Sequence, residues 1–297
     1  MNKYIEYLEN DGVIAFPTET VYELGALLNS KEGINKLYKF KKMPNNIPLS
    51  IYCKDLDQVR TVTNLSLNEF NVFKNLMMKF LPGPITILLK KADYIDSSIC
   101  LNDKVLIRIP SCGSTEYLLN KINSPIVCTT ANKYQYVCST NENHVIKDLG
   151  HNEIKIMKKK KNDFQIGIES TIIDIDFKNN IINILRPGFI TKNMIHSILN
   201  KSDFRIIEKY DELNFICRIK KGFTNKVKEN TSVIDFGLEY LNDDNHYYTL
   251  SENNNNIDAM YNFYEIIRSA DEDDNKDILI NYKKSENQLN FVLYNIP

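Results

Sequence analysis

Several functional classes are excluded by what this 297-residue chain lacks. Its six cysteines, Cys53, Cys100, Cys112, Cys128, Cys138 and Cys217, include no C-x-x-C pair, and its four histidines are scattered. That spacing argues against a structural zinc site and against a secreted disulfide framework, and it fits a reducing compartment. An excess of one charge sign is also missing: 37 Lys and Arg stand against 38 Asp and Glu, for a formal net charge of −1. No global basic field draws the chain to nucleic acid or a membrane, although net charge leaves a local basic pocket open. No apolar run has the length to span a bilayer. The first ten residues, with Glu6 and Glu9, show neither an apolar signal-peptide region nor an Arg-rich amphipathic stretch. The expected location is cytoplasmic.

The common catalytic signatures are missing too. There is no G-x-x-x-x-G-K-[ST] loop and no G-x-G-x-x-G to cradle a phosphate. Ser170 lies in Gly167-Ile168-Glu169-Ser170-Thr171, which is not a G-x-S-x-G elbow, and no histidine lies in an obvious partner motif. A serine hydrolase is therefore not expected. Glu19 and Glu169 are available as paired carboxylates, but sequence separation leaves their geometry open.

What is present is an ordinary globular balance, 43% hydrophobic and 25% charged, at a length that suggests one large domain and a smaller one. A short helix over 3–10 should end at Asp11-Gly12, and Val13-Ile14-Ala15-Phe16 reads as a buried strand stopped by Pro17. A helix near 31–40, a basic loop from Lys41 to Pro48 and a strand at 49–52 follow. Apolar spacing predicts a helix over 66–80, ended by Leu81-Pro82-Gly83-Pro84. Further strands are expected at 85–89, 105–109 and 126–130, with a hairpin at 172–176 and 181–185. Strands interleaved with helices predict an α/β domain with a mixed sheet. From about Lys201 the texture changes to a charged, irregular stretch, then to strands near 232–236 and 277–281 flanking a helix at 258–270, a small β-α-β unit. No internal repeat is present.

The remaining chemistry lies in strand-end loops. Lys41, Lys42, Arg108 and Arg186 suit phosphate or carboxylate, the latter best held by a forked guanidinium. Thr18, Thr20, Thr130, Ser139, Thr140 and Ser170 offer hydroxyls to an amino acid or a triphosphate, and Gly83 and Gly188 permit close backbone approach. Each also has a plainer reading. Arg108, within Val105-Leu106-Ile107-Arg108-Ile109-Pro110, would pair with a core carboxylate. Lys41 and Lys42 would form a solvated face; Thr20 and Ser170 would be caps or turn residues; and the two glycines would be turn glycines.

Taken jointly, the motifs resemble the YrdC-like threonylcarbamoyl-AMP synthase family. Its F-P-T-E-T-V-Y-G-L-G appears as Phe16 to Gly25, with Glu23 in place of a glycine, and its W-P-G-P-L-T as Leu81 to Thr86. V-x-V-R-x-P is Val105 to Pro110, P-x-x-x-P-S-A-N is Pro125 to Asn132, G-x-E-S-T-V-x-D is Gly167 to Asp174, and L-R-P-G is Leu185 to Gly188. The motifs run in order over roughly residues 10 to 195. Beyond them, Ile257 to Asp271 is similar to a helix in the extra domain of the family's long form. The resemblance implies a YrdC-like twisted mixed sheet with flanking helices at 1–198, a linker at 199–230 and a small Rossmann-like C-terminal domain at 231–297.

It also implies a nucleotidyltransferase that makes threonylcarbamoyl-adenylate and pyrophosphate from L-threonine, bicarbonate or CO2, and ATP with Mg2+. The product would pass to a tRNA threonylcarbamoyl-transferase complex; contact with tRNA itself would be indirect, and no membrane is implied. By resemblance, Thr20, Tyr52, Arg108, Cys128 and Ser170 hold threonine, with Tyr52 where the family usually has histidine. Lys41, Lys104, Thr130, Cys138 and Arg186 lie along ATP, and Lys41 and Arg108 are the catalytic residues. No protein metal ligands are implied.

Departures from the family pattern cluster on the nucleotide side. In K-x-R-P-x-x-N-P-L, read here as Lys41 to Leu49, the family's Arg and Asn become Met43 and Ile47. Its S-P-T becomes Cys138-Ser139-Thr140, its S-G becomes Tyr134-Gln135, and its linker motif P-G-x-K-Y-x-H-Y is represented only by Gly222 to Lys228. Three functions therefore compete: an active synthase, a catalytically weak relative serving as a threonine- or RNA-binding scaffold, and a different carbamoyl-adenylate user. The last is found in hydrogenase-maturation proteins, whose usual zinc and acylphosphatase modules are absent from this chain.

Overall fold

The structure is a computed structural model that describes residues 2–199, 203–209, 231–235, 247–253, 255–272 and 277–281. Short apolar runs become the strands β1 (Val13–Phe16), β2 (Glu23–Leu27), β3 (Ser50–Tyr52), β4 (Ile85–Lys90) and β5 (Lys104–Arg108). They continue with β6 (Ile126–Thr130), β7 (Ile154–Ile156), β8 (Thr171–Asp176), β9 (Ile181–Arg186) and β10 (Arg205–Glu208). These join into one ten-stranded sheet in the order β10-β9-β8-β4-β5-β3-β6-β2-β1-β7. The sheet is mixed: β3 and β5 run parallel, whereas β6 pairs antiparallel with both β2 and β3.

The helices that flank it are α1 (Asn2–Glu9), α2 (Lys31–Lys41), α3 (Leu56–Val62), α4 (Leu67–Met77), α5 (Gly113–Lys121), α6 (Glu142–Leu149) and α7 (Lys192–Leu199). Their starts follow from local chemistry. The Ser30 hydroxyl accepts the Gly33 N–H at 2.8 Å to cap α2, and Ser66 with Glu69 forms a reciprocal capping box on α4. The end of α2 matters for the site: Lys42 closes the helix in the left-handed conformation at φ 53°, so that Lys41 points inward while Lys42 stays exposed.

Alternation along the strands sorts side chains to two faces. One face carries the largest apolar cluster, including Val13, Ala15, Ile51, Ile107 and Val127. The other carries two separate clusters, one with Phe16, Tyr52 and Cys128, the other with Leu88, Leu106, Ile172 and Leu185. Polar side chains lie between these two clusters, because Glu23, Ser50, Arg108 and Thr130 share the parity of Tyr52, Leu106 and Cys128.

Two differences from the sequence reading have clear causes. The stretch after Pro17 was expected as a loop, yet β2 folds straight back against β1, pairing Phe16 with Glu23. Its polar interruption at Tyr22-Glu23 is tolerated because both residues are buried against distant partners. Within the expected linker at 199–230, Arg205–Glu208 instead forms β10, parallel to β9; Gly222 to Lys228 lie outside the described residues.

The second unit contains β11 (Thr231–Asp235), β12 (Tyr247–Thr249), α8 (Asn256–Glu272) and β13 (Asp277–Asn281). Its three strands are parallel in the order β12-β11-β13, with α8 between β12 and β13 in the chain. Strand β12 was not foreseen. Met260, Phe263, Tyr264 and Ile267 of α8 are buried in one cluster with Val21, Val137, Cys138, Ile166 and Ile168 of the large sheet unit. The two units therefore share a core. No helix among the described residues is long and apolar enough to cross a membrane.

Candidate functional site

A cavity of about 310 Å³ opens between the two clusters on the polar face. At its inner end is Arg108, brought there by β5 and 2% exposed. Its Nη1 donates to the Tyr52 hydroxyl at 2.9 Å, and Nη2 donates to Glu19 Oε1 at 2.7 Å and Thr20 Oγ1 at 2.9 Å. The plainer expectation for Arg108, pairing with a core carboxylate, is met by Glu19, itself 2% exposed. Yet Arg108 also lines the cavity, so one guanidinium serves both the core and the site. Its Nε and Glu19 Oε2 are buried without a partner. Thr20 stands behind this arginine and holds it.

Two titratable groups beside Arg108 are strongly shifted. Burial pushes the Glu23 carboxyl up to about 7, against the pull of Arg108, Tyr52 and Lys41. Burial pulls the Lys41 ammonium down to about 8, opposed by Cys138, Glu23 and Glu169. Lys41 is not the solvated residue its sequence context suggested: it is 3% exposed, and its Nζ donates to the Thr130 carbonyl at 2.5 Å and Thr130 Oγ1 at 3.2 Å. The thiol of Cys128 is pushed well above its ordinary value by burial and donates weakly to the Ser50 carbonyl at 3.6 Å. A neutral, buried thiol can line a pocket but is no nucleophile.

The opposite wall comes from the Gly167–Asp174 and Leu185–Gly188 motifs. Arg186 donates from Nε and Nη2 to the Ser170 carbonyl at 3.1 and 2.8 Å, and from Nη1 to Glu169 Oε1 at 2.8 Å. Ser170 Oγ lies 2.8 Å from Thr86 Oγ1. Gly188 makes this packing feasible: a Cβ there would stand 2.5 Å from the Thr171 nitrogen and 2.7 Å from the Glu169 carbonyl. Its close approach is to protein backbone.

The structure thus brings Lys41, Tyr52, Arg108, Cys128, Thr130, Cys138, Ser170 and Arg186 to one cavity, with Thr20 one bond behind. Lys104 is not brought in. It shares the face of Arg108, but its ammonium is tied to Asp174 Oδ1 at 2.5 Å, away from the cavity lining. Met43, Ile47, Tyr134 and Gln135, where the motifs depart, do line it. Sequence reasoning missed Thr86, Asn132 and Tyr264 as lining residues and offered Glu169 only as a carboxylate to pair with Glu19, whereas Glu19 pairs with Arg108 and Glu169 with Arg186. Strand parity could have found Thr86, and Glu169 and Asn132 lay within motifs; no local signal points Tyr264 into another unit's cavity.

Comparison with known proteins agrees with this geometry. Residues 6–188 match the Sua5_yciO_yrdC family, described as "Telomere recombination". Over 194 residues the chain is 31% identical to the threonylcarbamoyl-AMP synthase of Bacillus subtilis (strain 168), covering 65% of this chain and 54% of that protein. The chain thus spans about half the length of that curated relative. A doubly substituted P. abyssi Sua5 superposes with a TM-score of 0.82 at 22% identity, covering 98% of this chain and 90% of that one. P. abyssi Sua5 complexed with L-threonine gives 0.78 at 20% identity, covering 99% and 92%. At these identities the two structures establish a shared fold, mixed α/β with a large sheet flanked by helices. With the family match spanning more than half of its residues, the chain belongs to the Sua5/YciO/YrdC family.

Proposed function

We propose that this chain is an L-threonylcarbamoyladenylate synthase, joining L-threonine, bicarbonate or CO2, and ATP with release of pyrophosphate. One observation carries the reading: a single cavity lined by Arg108, Tyr52, Ser170, Lys41 and Arg186, which sets carboxylate- and hydroxyl-binding groups beside phosphate-binding cations. The Bacillus subtilis relative bears the synthase name, and the P. abyssi neighbour binds L-threonine.

In this reading Thr20, Tyr52, Arg108, Cys128 and Ser170 form the threonine end. Lys41, Thr130, Cys138 and Arg186 form the ATP end; Lys104 contributes only if it leaves Asp174. The amine of threonine, once neutral, bonds to CO2 and sheds a proton, giving a carbamate. The carbamate oxygen then bonds to the α-phosphorus as the bond to pyrophosphate breaks. Such a reaction requires alignment and neutralised charge more than a covalent nucleophile, and Lys41 and Arg108 supply fixed positive charge at the two ends. The residues present do not form a cage for Mg2+: among the described residues no three His, Cys, Asp or Glu side chains cluster. The ion would be held by the triphosphate oxygens, which suit it, and would there offset phosphate charge.

Retention of Lys41 and Arg186 in the cavity favours turnover over a threonine- or RNA-binding scaffold. The same reading places the chain in the cytoplasm, hands its product to a tRNA threonylcarbamoyl-transferase complex, and divides it into a catalytic domain at 1–198 and a C-terminal domain at 231–297. Pyrophosphate release from ATP tests it. Release should require both L-threonine and bicarbonate; release indifferent to either, or none from folded protein, would overturn the assignment.

A further inference from the structure

We propose that Tyr264, on the C-terminal helix α8, is a positioning residue for the nucleotide end of the cavity, acting through Glu169 on Arg186. The proposal rests on the synthase reading above. Tyr264 is 5% exposed and lines the cavity, with its ring edge-on to Phe263 at 5.4 Å between centroids. Its hydroxyl donates to Glu169 Oε2 at 3.1 Å, while Glu169 Oε1 accepts from Arg186 Nη1 at 2.8 Å. Arg186 closes the relay on Ser170, through the carbonyl and, at 3.2 Å, through Oγ.

Four residues further along α8, on the same helix face, Arg268 fixes the register of this contact. It donates from Nε to the Cys138 carbonyl at 3.1 Å and from Nη2 to Asp148 Oδ2 at 2.6 Å. Nη2 also bonds the Val137 carbonyl. The helix is thereby locked to the segment that presents Cys138 to the cavity, and Tyr264 is delivered to Glu169 as a consequence.

Glu169 is the member of the relay that makes such control necessary. Its side chain is only 13% exposed, and an anionic group there repels an incoming phosphate unless it is neutralised and held in place. Tyr264 and Arg186 each engage one of its oxygens. Without the phenol hydroxyl, Oε2 loses that donor and the carboxylate draws on Arg186 with both oxygens, taking the guanidinium out of its present alignment.

The test uses the full chain as wild type, Tyr264→Phe, Glu169→Gln and the double variant, titrated separately with ATP and L-threonine by calorimetry. Tyr264→Phe should weaken ATP binding about 5–10-fold, less than the full worth of a charge-assisted hydrogen bond because the contact reaches ATP only through Arg186, and leave threonine affinity within about twofold. Glu169→Gln, which preserves shape and removes the charge, should bind ATP at least as tightly as wild type. It should also make the tyrosine substitution silent, so that the effects do not add. Equal losses for both ligands, additive effects, or an unchanged ATP affinity in Tyr264→Phe would overturn the proposal. A wild-type protein that binds threonine but no ATP would sink the synthase reading itself, a different and separately visible result.

Discussion

At its inner end the cavity presents Arg108, Tyr52, Glu23 and Cys128, each no more than 5% exposed, whereas Ile47, Tyr134, Gln135 and Tyr136 at its mouth stand partly or fully exposed. Three groups converge on the Arg108 guanidinium: the Glu19 carboxylate, the Tyr52 phenol and the Thr20 hydroxyl. A ligand arriving there meets groups already desolvated and aligned, so little ordering remains to be done on binding. Toward the mouth stand two buried cations, Lys41 and Arg186, and where the family pattern would place another arginine and an asparagine the wall has the apolar Met43 and Ile47. Order at the inner end centres on one guanidinium; toward the mouth it rests on two separate cations, Lys41 held by Thr130 and Arg186 by Glu169 and Ser170.

The largest effect should follow from breaking the inner end. Arg108→Ala leaves Glu19 buried without its counter-charge, and removing one partner of a buried pair typically costs about 3–5 kcal/mol. Urea unfolding should show that loss in full, with threonine binding abolished as well. A variant as stable as wild type would mean that the Arg108–Glu19 pair does not hold the inner end together.

Next in size is the loss of one buried cation near the mouth. Lys41→Met removes an ammonium that is anchored on Thr130 and faces Asn132 Oδ1 at 3.4 Å. A charged hydrogen bond to phosphate is worth about 1.5–3 kcal/mol, so ATP affinity should fall about 10–100-fold while threonine binding holds. In wild type the Lys41 pKa of about 8 should make ATP binding to the free protein weaken as pH rises through that value.

How far the sequence revealed this arrangement depends on the distance over which each feature is decided. Strands such as Val13–Phe16 and Ile126–Thr130 were legible to the residue, because a short apolar run bounded by turn residues is a local signal. Strand β2 was not, since Glu23 is buried there beside Arg108, Tyr52 and Lys41, which come from three other elements. Motif order placed Thr20, Arg108 and Ser170 near one another, yet it offered nothing on whether Lys104 would meet a ligand or Asp174. The helix bearing Tyr264 and Arg268 was visible as a pattern; the face it presents to Glu169 and Cys138 is fixed by docking between units, which no local spacing records.

A smaller effect is expected at Glu23, where the two ends meet. Burial raises its pKa from 4.5 to about 7, so between those values the native protein holds a proton that the unfolded chain has released. Glu23's contribution to stability is therefore fully present below about pH 4.5, declines through that window and is lost above about 7. Glu23→Gln, which cannot ionise, should be more stable than wild type by about 1–3 kcal/mol at pH 8 and nearly equal to it at pH 5. Lys41, with its pKa lowered from 10.5 to about 8, imposes the opposite slope: stability rises with pH between those two values. Chemical denaturation at pH 5 and pH 8 separates the two residues, and an advantage for Glu23→Gln at pH 5 alone would contradict the assignment.

The smallest effect should come from making the mouth more like the inner end. Met43 is 6% exposed and its neighbour Ile47 about half-buried, so an added guanidinium must reach the cavity along an apolar wall already packed against the core. Part of the gain from a new phosphate contact is thus offset by desolvation and by lost packing of Met43, leaving a net of about 1 kcal/mol. Met43→Arg should tighten ATP binding by no more than about fivefold and leave threonine affinity unchanged. If instead it improves ATP binding by a hundredfold or more, the mouth was starved of charge and the inner order alone did not suffice. If it weakens ATP binding, the apolar wall itself contacts the nucleotide, and the contrast between the two ends is one of chemistry rather than of missing cations.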